Sequence, residues 1–463
     1  MTIRFGTDGW RAVIGQDFTP ENVAHVIHAF ADLYPSLPHS GHGVVVGYDR
    51  RDQSPEMARL VADLLTTHGI PTALAATYVP TPFVSWSVVQ RHATAGIMIT
   101  ASHNPPRWNG IKFKESYGGA AAAAFTNLIE AQIVRTQREG PPPRPPRAAP
   151  LTSLTCDAYL AHLRGLVDLK AIGRAHLRLL FDPLYGAGAG LLQQLVDDVT
   201  EIHGNRDVAF GGLHPEPIVP YVNEAMETMR TGDFDLCVIT DGDADRIGAI
   251  DERGRYITTH EIYGLLLQHV LTHKQWTGNV VKSITTTQMI DRICRTFQLA
   301  LQVTPVGFKH ISPALNAPHM LVGGEESGGF GFPRHVCERD GLFCALLLLE
   351  LCAVRGKKIG ALVAELQQTY GPTHYRRIDL KLTPAQMHTA QERLEKPLPT
   401  TLCGKRVTRV NRIDGYHFLR EDDSWLLVRA SGTEPLFRTY AEAASPDEVE
   451  ALLGEAQRLI GIA

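Results

Sequence analysis

Three times along this chain an apolar strand runs through a polar or glycine-rich turn into an amphipathic helix. The segments are GVVVGYDRRDQSPEMARLVADLL from Gly43, LRLLFDPLYGAGAGLLQQLV from Leu177 and GNVVKSITTTQMIDRICRTF from Gly278. A strand followed by a helix of this kind is the building unit of an α/β layer structure, in which helices cover a mostly parallel sheet. Intervals of roughly 100 residues or more are too long for a solenoid repeat and suit successive whole domains. At 463 residues the chain also exceeds the roughly 250 to 300 residues at which one hydrophobic core stops growing. Several domains are therefore predicted, three of them related.

The clearest break is PPPRPPRAAP, Pro141 to Pro150, where dense proline excludes helix and sheet and favours a stiff connector. A second break is expected after DERGR, near Arg255, and a third around the YGP at Tyr370 to Pro372. The predicted domains are 1–145, 146–255 and 256–371, all α/β, and 372–463. The last mixes short strands with a final helix, SPDEVEALLGEAQRLIGI, and is expected to be α+β.

A formal net charge of −4 gives no overall attraction for nucleic acid or an anionic membrane, so the expected partners are small molecules. The seven cysteines, Cys156, Cys237, Cys294, Cys337, Cys344, Cys352 and Cys403, are widely spaced and form no CxxC pair. They are read as reduced and mostly buried rather than as a disulfide framework or a zinc cluster. The N-terminal sequence lacks a long apolar stretch, and the apolar run Leu342 to Val354 is interrupted by Glu350 and too short to span a bilayer. A cytoplasmic protein is expected, a monomer or a homodimer.

Four motifs carry chemistry. TASHNP, Thr100 to Pro105, follows the apolar strand AGIMI, and a turn at a strand's C-terminal end is where an open α/β sheet presents its site. There Ser102 reads as a phosphoryl acceptor, with His103 beside it and Lys112 in the next strand as positive charge or proton source. An ordinary Asn-Pro turn is the plain alternative. TDGDADR, Thr240 to Arg246, follows LCVI, and its aspartates at alternate positions can turn oxygens towards one hard divalent cation, with Arg246 to hold a phosphate or orient the cluster. A calcium loop of the EF-hand type competes, since Glu252 stands at the twelfth position, but Arg246 stands where that loop needs glycine. A solvated acidic turn is disfavoured because crowded carboxylates repel one another without a cation. VGGEESGGFGF, Val322 to Phe332, sets carboxylates and a hydroxyl in a glycine-rich loop suited to sugar hydroxyls, or is a flexible surface loop. RASGTEP, Arg429 to Pro435, offers arginine, hydroxyls and backbone N–H groups as a phosphate nest, or is an ordinary turn. No GxxxxGK[ST] occurs, so the P-loop solution is absent.

Taken in order with FGTDGWR, Phe5 to Arg11, these motifs resemble the α-D-phosphohexomutase superfamily of phosphoglucomutases, phosphomannomutases and phosphoglucosamine mutases. The resemblance spans residues 5 to 435. It implies three related α/β domains and a C-terminal α+β domain around a central cleft. It also implies a phosphorylated Ser102 and Mg²⁺ held by Asp241, Asp243, Asp245 and a phosphoserine oxygen. Glu325 and Ser327 would hold sugar hydroxyls, and Arg429, Ser431, Gly432 and Thr433 the distal phosphate. Arg11, His103, Lys112 and Arg246 would line the reaction centre. The implied substrate is a phosphosugar and the implied intermediate and activator a hexose 1,6-bisphosphate.

GEESGG departs from the GEMSG and GEQSG types of other branches, and VGFKH, Val306 to His310, resembles a glucose-specific pattern. Glucose 1-phosphate and glucose 6-phosphate are thus the expected pair, with mannose or glucosamine phosphates as alternatives. Where dual-specificity members carry a histidine base, this chain has Gly329, which makes Lys309 the candidate for the second acid or base. A silent sugar-phosphate sensor, a phosphatase and a bisphosphate-forming variant are the competing functions.

Overall fold

The GVVVGY run becomes the strand Val44–Tyr48 at the centre of a six-stranded sheet. A computed structural model describes residues 3–6, 8–142, 145, 147–431 and 436–462. These divide into two compact units, Met1–Asn279 with Gly307–Leu362, and Val280–Val306 with Val363–Ala463.

In the first unit, Val44–Tyr48 pairs in parallel with Thr72–Ala75 on one side and Ala95–Ile99 on the other. Ala95–Ile99 is fully buried, as its unbroken apolar run demands of a central strand. Beyond it Trp108–Lys114 and then Trp10–Val13 add antiparallel. After the proline-rich stretch the chain returns as Leu151–Leu154, which joins the same sheet beside Thr72–Ala75. The helix Pro20–Leu33 covers one face. Thr19 caps it, proline fits its first turn, and Val23, Val26, Ile27 and Phe30 recur at helical spacing on the buried side.

The second run forms Leu179–Asp182 in a five-stranded sheet, flanked in parallel by Val199–Glu201 and Leu236–Thr240, with Ile247–Asp251 and Tyr256–Ile257 adding antiparallel. Further along, Met320–Gly324, Phe330–Phe332 and Val336–Arg339 pair antiparallel in succession. In the second unit Val280 to Ser283 pair in parallel with Leu301–Thr304, and a six-stranded sheet of Thr401–Leu402, Lys405–Asn411, Tyr416–Arg420, Trp425–Ala430, Leu436–Ala443 and His374–Lys381 is antiparallel throughout. The helices Pro384–Glu395 and Pro446–Ile460 lay Ala390, Leu394, Val449, Leu452 and Leu453 against that sheet. The α/β expectation for the first part of the chain and the α+β expectation for the C-terminal part both hold. All seven cysteines are free, five of them buried, with Cys156 half-buried and Cys403 exposed. No helix among the described residues is long and apolar enough to cross a membrane.

The apolar run at 342–354 lies in the helix Gly341–Arg355, and Glu350, which interrupts it, is fully buried. Its Oε2 lies 2.8 Å from His269 Nε2, and its Oε1 accepts from Lys274 Nζ at 2.8 Å and from the Asp168 N–H at 2.7 Å. Burial alone would raise this carboxyl, but these partners outweigh it and hold Glu350 at about 2. Burial lowers His269. A carboxyl that titrates near 4.5 unfolded and about 2 folded adds stability that is complete above pH 4.5 and lost as the pH falls towards 2. The lowered His269 acts with the same sign, costing stability as the pH drops below 6.5. Glu350→Gln leaves Lys274 short of its charged partner, so at pH 7 it should lower stability to urea by about 3 kcal/mol. The gap to the parent protein should narrow below pH 4.5. Equal urea midpoints at pH 7, or a gap that widens in acid, would contradict this account.

Candidate active site

The site of the first unit forms where loops leave the C-terminal ends of its strands. Ser102 follows Ala95–Ile99 in a left-handed conformation, φ +52°, which is strained for a residue with a side chain. The turn is held on both sides. The Ser102 N–H donates to Thr100 Oγ1 at 2.8 Å, and its carbonyl accepts from Arg51 Nη2. Arg51 is fully buried and also donates to the carbonyls of Asn104, Pro105 and Trp108, so one guanidinium fixes the whole TASHNP loop.

The aspartate loop follows Leu236–Thr240. Asp241 Oδ1 accepts the backbone N–H groups of Asp245 and Arg246, which curls the loop, and its Oδ2 accepts the Ser102 hydroxyl at 2.8 Å. Gly242 is required between them, because a Cβ there would lie 2.5 Å from the Ser102 carbonyl oxygen. Asp243 Oδ2 accepts from Thr81 Oγ1 and from Lys112 Nζ at 2.8 Å. The Asp243 carbonyl takes the Thr81 N–H at the start of the helix Thr81–Gln90. Asp245 Oδ2 accepts from Lys112 Nζ at 2.8 Å and Arg339 Nη2 at 2.6 Å. Lys112 also meets Asp8 at 2.8 Å. The ammonium thus touches three carboxylates in a place where it is 1% exposed.

The electrostatics follow from that crowding. Burial drives Asp241 well above the usual carboxylate range, and the neighbouring Asp243 and Asp245 drive it further. For Asp243 burial is outweighed by Lys112, which holds it below that range. Burial disfavours the Lys112 ammonium, yet Asp243, Asp245 and Asp8 together raise it above its ordinary value. His103 is depressed well below 6.5 by burial and by the cations Arg246, Arg11, Lys112 and Arg339, and its Nδ1 has no hydrogen-bond partner. A neutral imidazole is the form this environment favours.

Ligand atoms of Asp241, Asp243 and Asp245 lie within 4.8 Å of one another. Asp243 Oδ1 and Asp245 Oδ1 are buried without a hydrogen-bond partner. Hard oxygen donors left unsatisfied at this spacing fit a divalent cation that prefers carboxylate and phosphate oxygens. The EF-hand alternative fails on the same geometry, because Glu252 lies beyond the strand Ile247–Asp251.

In the sugar-loop candidate, Glu325 is buried, and its Oε1 accepts from Ser327 Oγ at 2.7 Å and from Arg339 Nη1 at 3.2 Å. Arg11 Nη1 donates to Asn104 Oδ1 at 2.6 Å, and Arg246 Nη1 to Glu216 Oε1 at 3.0 Å. Lys309 is half-buried in the first turn of the helix Phe308–Leu315 and makes no hydrogen bond or ion pair with another described residue. In the second unit Arg429, next to last in the strand Trp425–Ala430, donates from Nε to Asp414 Oδ1 at 2.6 Å, while the Ser431 N–H bonds to the Leu436 carbonyl. Gly432 and Thr433 lie outside the described residues.

Comparison with known proteins agrees with this constellation. Residues 2–139, 157–254 and 258–370 match the alpha/beta/alpha domains I, II and III of phosphoglucomutase/phosphomannomutase, and 382–458 match its C-terminal domain. The chain belongs to the phosphoglucomutase/phosphomannomutase family. Members of this phosphohexomutase family are mutases, isomerases that transfer a phosphoryl group. The phosphoglucomutase/phosphomannomutase of Thermococcus kodakarensis is 30% identical over 97% of this chain and 96% of its own. The phosphoglucosamine/phosphogalactosamine mutase of Sulfurisphaera tokodaii is 29% identical over 98% of each. A solved structure from Thermus thermophilus, described as a candidate phosphomannomutase, superimposes with a TM-score of 0.85 at 33% identity, covering 100% of this chain and 99% of that one.

Of the residues expected from sequence, Ser102, Lys112 and the three aspartates meet directly, and Glu325 reaches Asp245 through one intermediary. That intermediary, Arg339, was missed, as were Asp8 and Thr81. Asp8 sits inside FGTDGWR, three residues before Arg11. Arg339 lies in the buried strand VCER, where a charged pair among apolar residues was the available signal.

A cation that binds the folded aspartate loop should stabilise it by mass action, about 2.7 kcal/mol at a hundred times its dissociation constant. Adding Mg²⁺ to protein stripped with EDTA should raise Tm, and Asp243→Asn should blunt the shift. An equal shift in that variant would place the cation elsewhere.

Proposed function

We propose that this mutase interconverts glucose 1-phosphate and glucose 6-phosphate through a phosphorylated Ser102 and a glucose 1,6-bisphosphate intermediate. The observation that carries the reading is Ser102 Oγ hydrogen-bonded to the first of three clustered aspartates beside the buried Lys112. The phosphoryl group leaves Ser102 Oγ as a sugar hydroxyl oxygen bonds to phosphorus, and the hydroxyl proton passes to a neighbouring base. The bisphosphate then returns its other phosphoryl group to Ser102. Phosphoryl transfer demands positioning and charge neutralisation above all. Held by Asp241, Asp243, Asp245 and a phosphoserine oxygen, Mg²⁺ would supply that neutralisation. Lys112, Arg246, Arg11 and His103 surround the transferring group, and the low basicity of His103 suits hydrogen bonding rather than a standing positive charge.

Glu325 and Ser327 are proposed to take sugar hydroxyls, Lys309 to serve as the second acid or base, and Arg429, Ser431, Gly432 and Thr433 to hold the phosphate that is not moving. VGFKH favours glucose. Glucosamine and mannose phosphates form the second reading, because the relatives carry those names. The proposed partner is the phosphosugar, with no nucleic acid or membrane, for a monomer or homodimer in the cytoplasm.

Turnover of glucose 1-phosphate, mannose 1-phosphate and glucosamine 1-phosphate side by side, with Mg²⁺ and a trace of glucose 1,6-bisphosphate, should rank glucose first. Ser102→Ala should abolish turnover of all three and remove a phosphate adduct from the intact mass. Full activity in that variant would sink the mechanism, and another leading sugar would correct the substrate. Lys309→Met should lower kcat by roughly 10² to 10⁴, the usual contribution of a positioned proton-transfer group. A wild-type kcat would remove Lys309 from the chemistry.

A further inference from the structure

Arg339 ends the strand Val336–Arg339, and Asp340 caps the helix that follows. It is 2% exposed. Its Nη2 donates to Asp8 and Asp245, at 2.5 Å and 2.6 Å, and its Nη1 to Glu325 at 3.2 Å. The guanidinium carbon stands 5.0 Å from the centre of the Phe308 ring, close enough for a cation–π contact. One planar fork therefore spans three carboxylates from three separate segments, which a lysine point charge cannot do with the same fixed angles.

The route of its side chain is equally constrained. Arg339 pairs across antiparallel strands with Gly331. Gly329 lies just ahead of the strand Phe330–Phe332 that carries Gly331. A Cβ on Gly329 would fall 2.2 Å from Arg339 Cδ and 2.9 Å from its Cγ. The stem of Arg339 thus occupies the space that a side chain at 329 would need. The closest conflict is with Cδ, the carbon next to a guanidinium group held by Asp8, Asp245 and Glu325, so the stem has no free direction in which to yield.

We propose that Arg339 is a positioning residue that locks the Glu325 carboxylate to the Asp245 carboxylate, and that residue 329 is glycine because the Arg339 stem fills the place of a side chain there. The proposal deepens the mutase reading, on which it relies for the sugar bound by Glu325. Arg339 makes the geometry of the sugar loop conditional on that of the aspartate loop, so the orientation of Glu325 is set from the metal side of the site. Side chains at 329 and the arginine at 339 are mutually exclusive solutions.

A double-mutant cycle tests both halves. Gly329→Ala should lower Tm and cut kcat/KM at least tenfold in the parent background. In the Arg339→Ala background, where the stem is gone, it should leave Tm unchanged and change kcat/KM less than twofold. Losses that add in full, or no loss in the parent, overturn the steric claim, and the Tm arm decides it even for a protein that turns over none of the hexose phosphates offered. Arg339→Met retains the stem's bulk without the fork, and should raise KM for the best hexose 1-phosphate at least tenfold while the phosphate adduct on Ser102 persists in the intact mass. An unchanged KM, or loss of the adduct together with activity, overturns the positioning role. Absence of both turnover and adduct in the parent protein would instead count against the mutase reading itself.

Discussion

Everything in the first unit's site depends on the Lys112 ammonium and the carboxylates it holds together. Asp8 precedes the strand Trp10–Val13 of one sheet, Asp243 and Asp245 follow Leu236–Thr240 of another, and each lies 2.8 Å from the same nitrogen. Buried carboxylates at this density repel one another and lose hydration. Without a buried cation among them at least some would be protonated, and the loops would have no reason to converge. Lys112 stands in a strand rather than a loop, so the reference point for the cluster is part of the sheet.

The site is therefore built as alternating charge. Asp241 takes the Ser102 hydroxyl, Lys112 bridges Asp243 and Asp245, and Arg339 carries the pattern on to Glu325. Such a chain has a directional consequence. A change of charge at Ser102, from hydroxyl to phosphoserine, is felt first by Asp241, whose proton affinity is already raised by burial and by its two neighbours. It reaches Glu325 through the contacts of Lys112 and Arg339 with Asp245. The reacting end can then change charge during the cycle while the sugar-facing end keeps its geometry.

Much of this was legible in the sequence because the chemistry is local there. TDGDADR brings its carboxylates together by short spacing alone, and an apolar strand before a turn announces where the turn will be exposed. The four-part α/β and α+β organisation was legible for the same reason, since strand and helix periodicities are properties of short windows. What was hidden is long-range. Arg339 is 331 residues from Asp8 in the chain, and no local pattern relates them. The strand Leu151–Leu154 was hidden too, because proline density announces a connector but says nothing of where the chain goes next, which proved to be the edge of the first sheet. Glu350 looked like an interruption of an apolar run. Its partners His269 and Lys274 lie some distance earlier in the chain, and only folding shows that the interruption is an anchor.

Burial of so many charges is poor economy for stability alone, since well-packed apolar groups of similar volume are often as stable or more so. The apolar layers of the same unit show where its stability comes from, in Val23, Val26, Ile27, Ala29 and Phe30 on one face of Pro20–Leu33 and in the fully buried strand Ala95–Ile99. Side chains of this kind each contribute about 1.5 to 3 kcal/mol on burial. The charged cluster rests on those layers and draws on them. Removing one member leaves its partner charged and unpaired in a dry place, which costs more than the pair contributed. A cluster so intolerant of partial loss persists where its arrangement is needed for chemistry, and the residues most exposed to that logic are those, like Arg339 and Lys112, that serve several carboxylates at once.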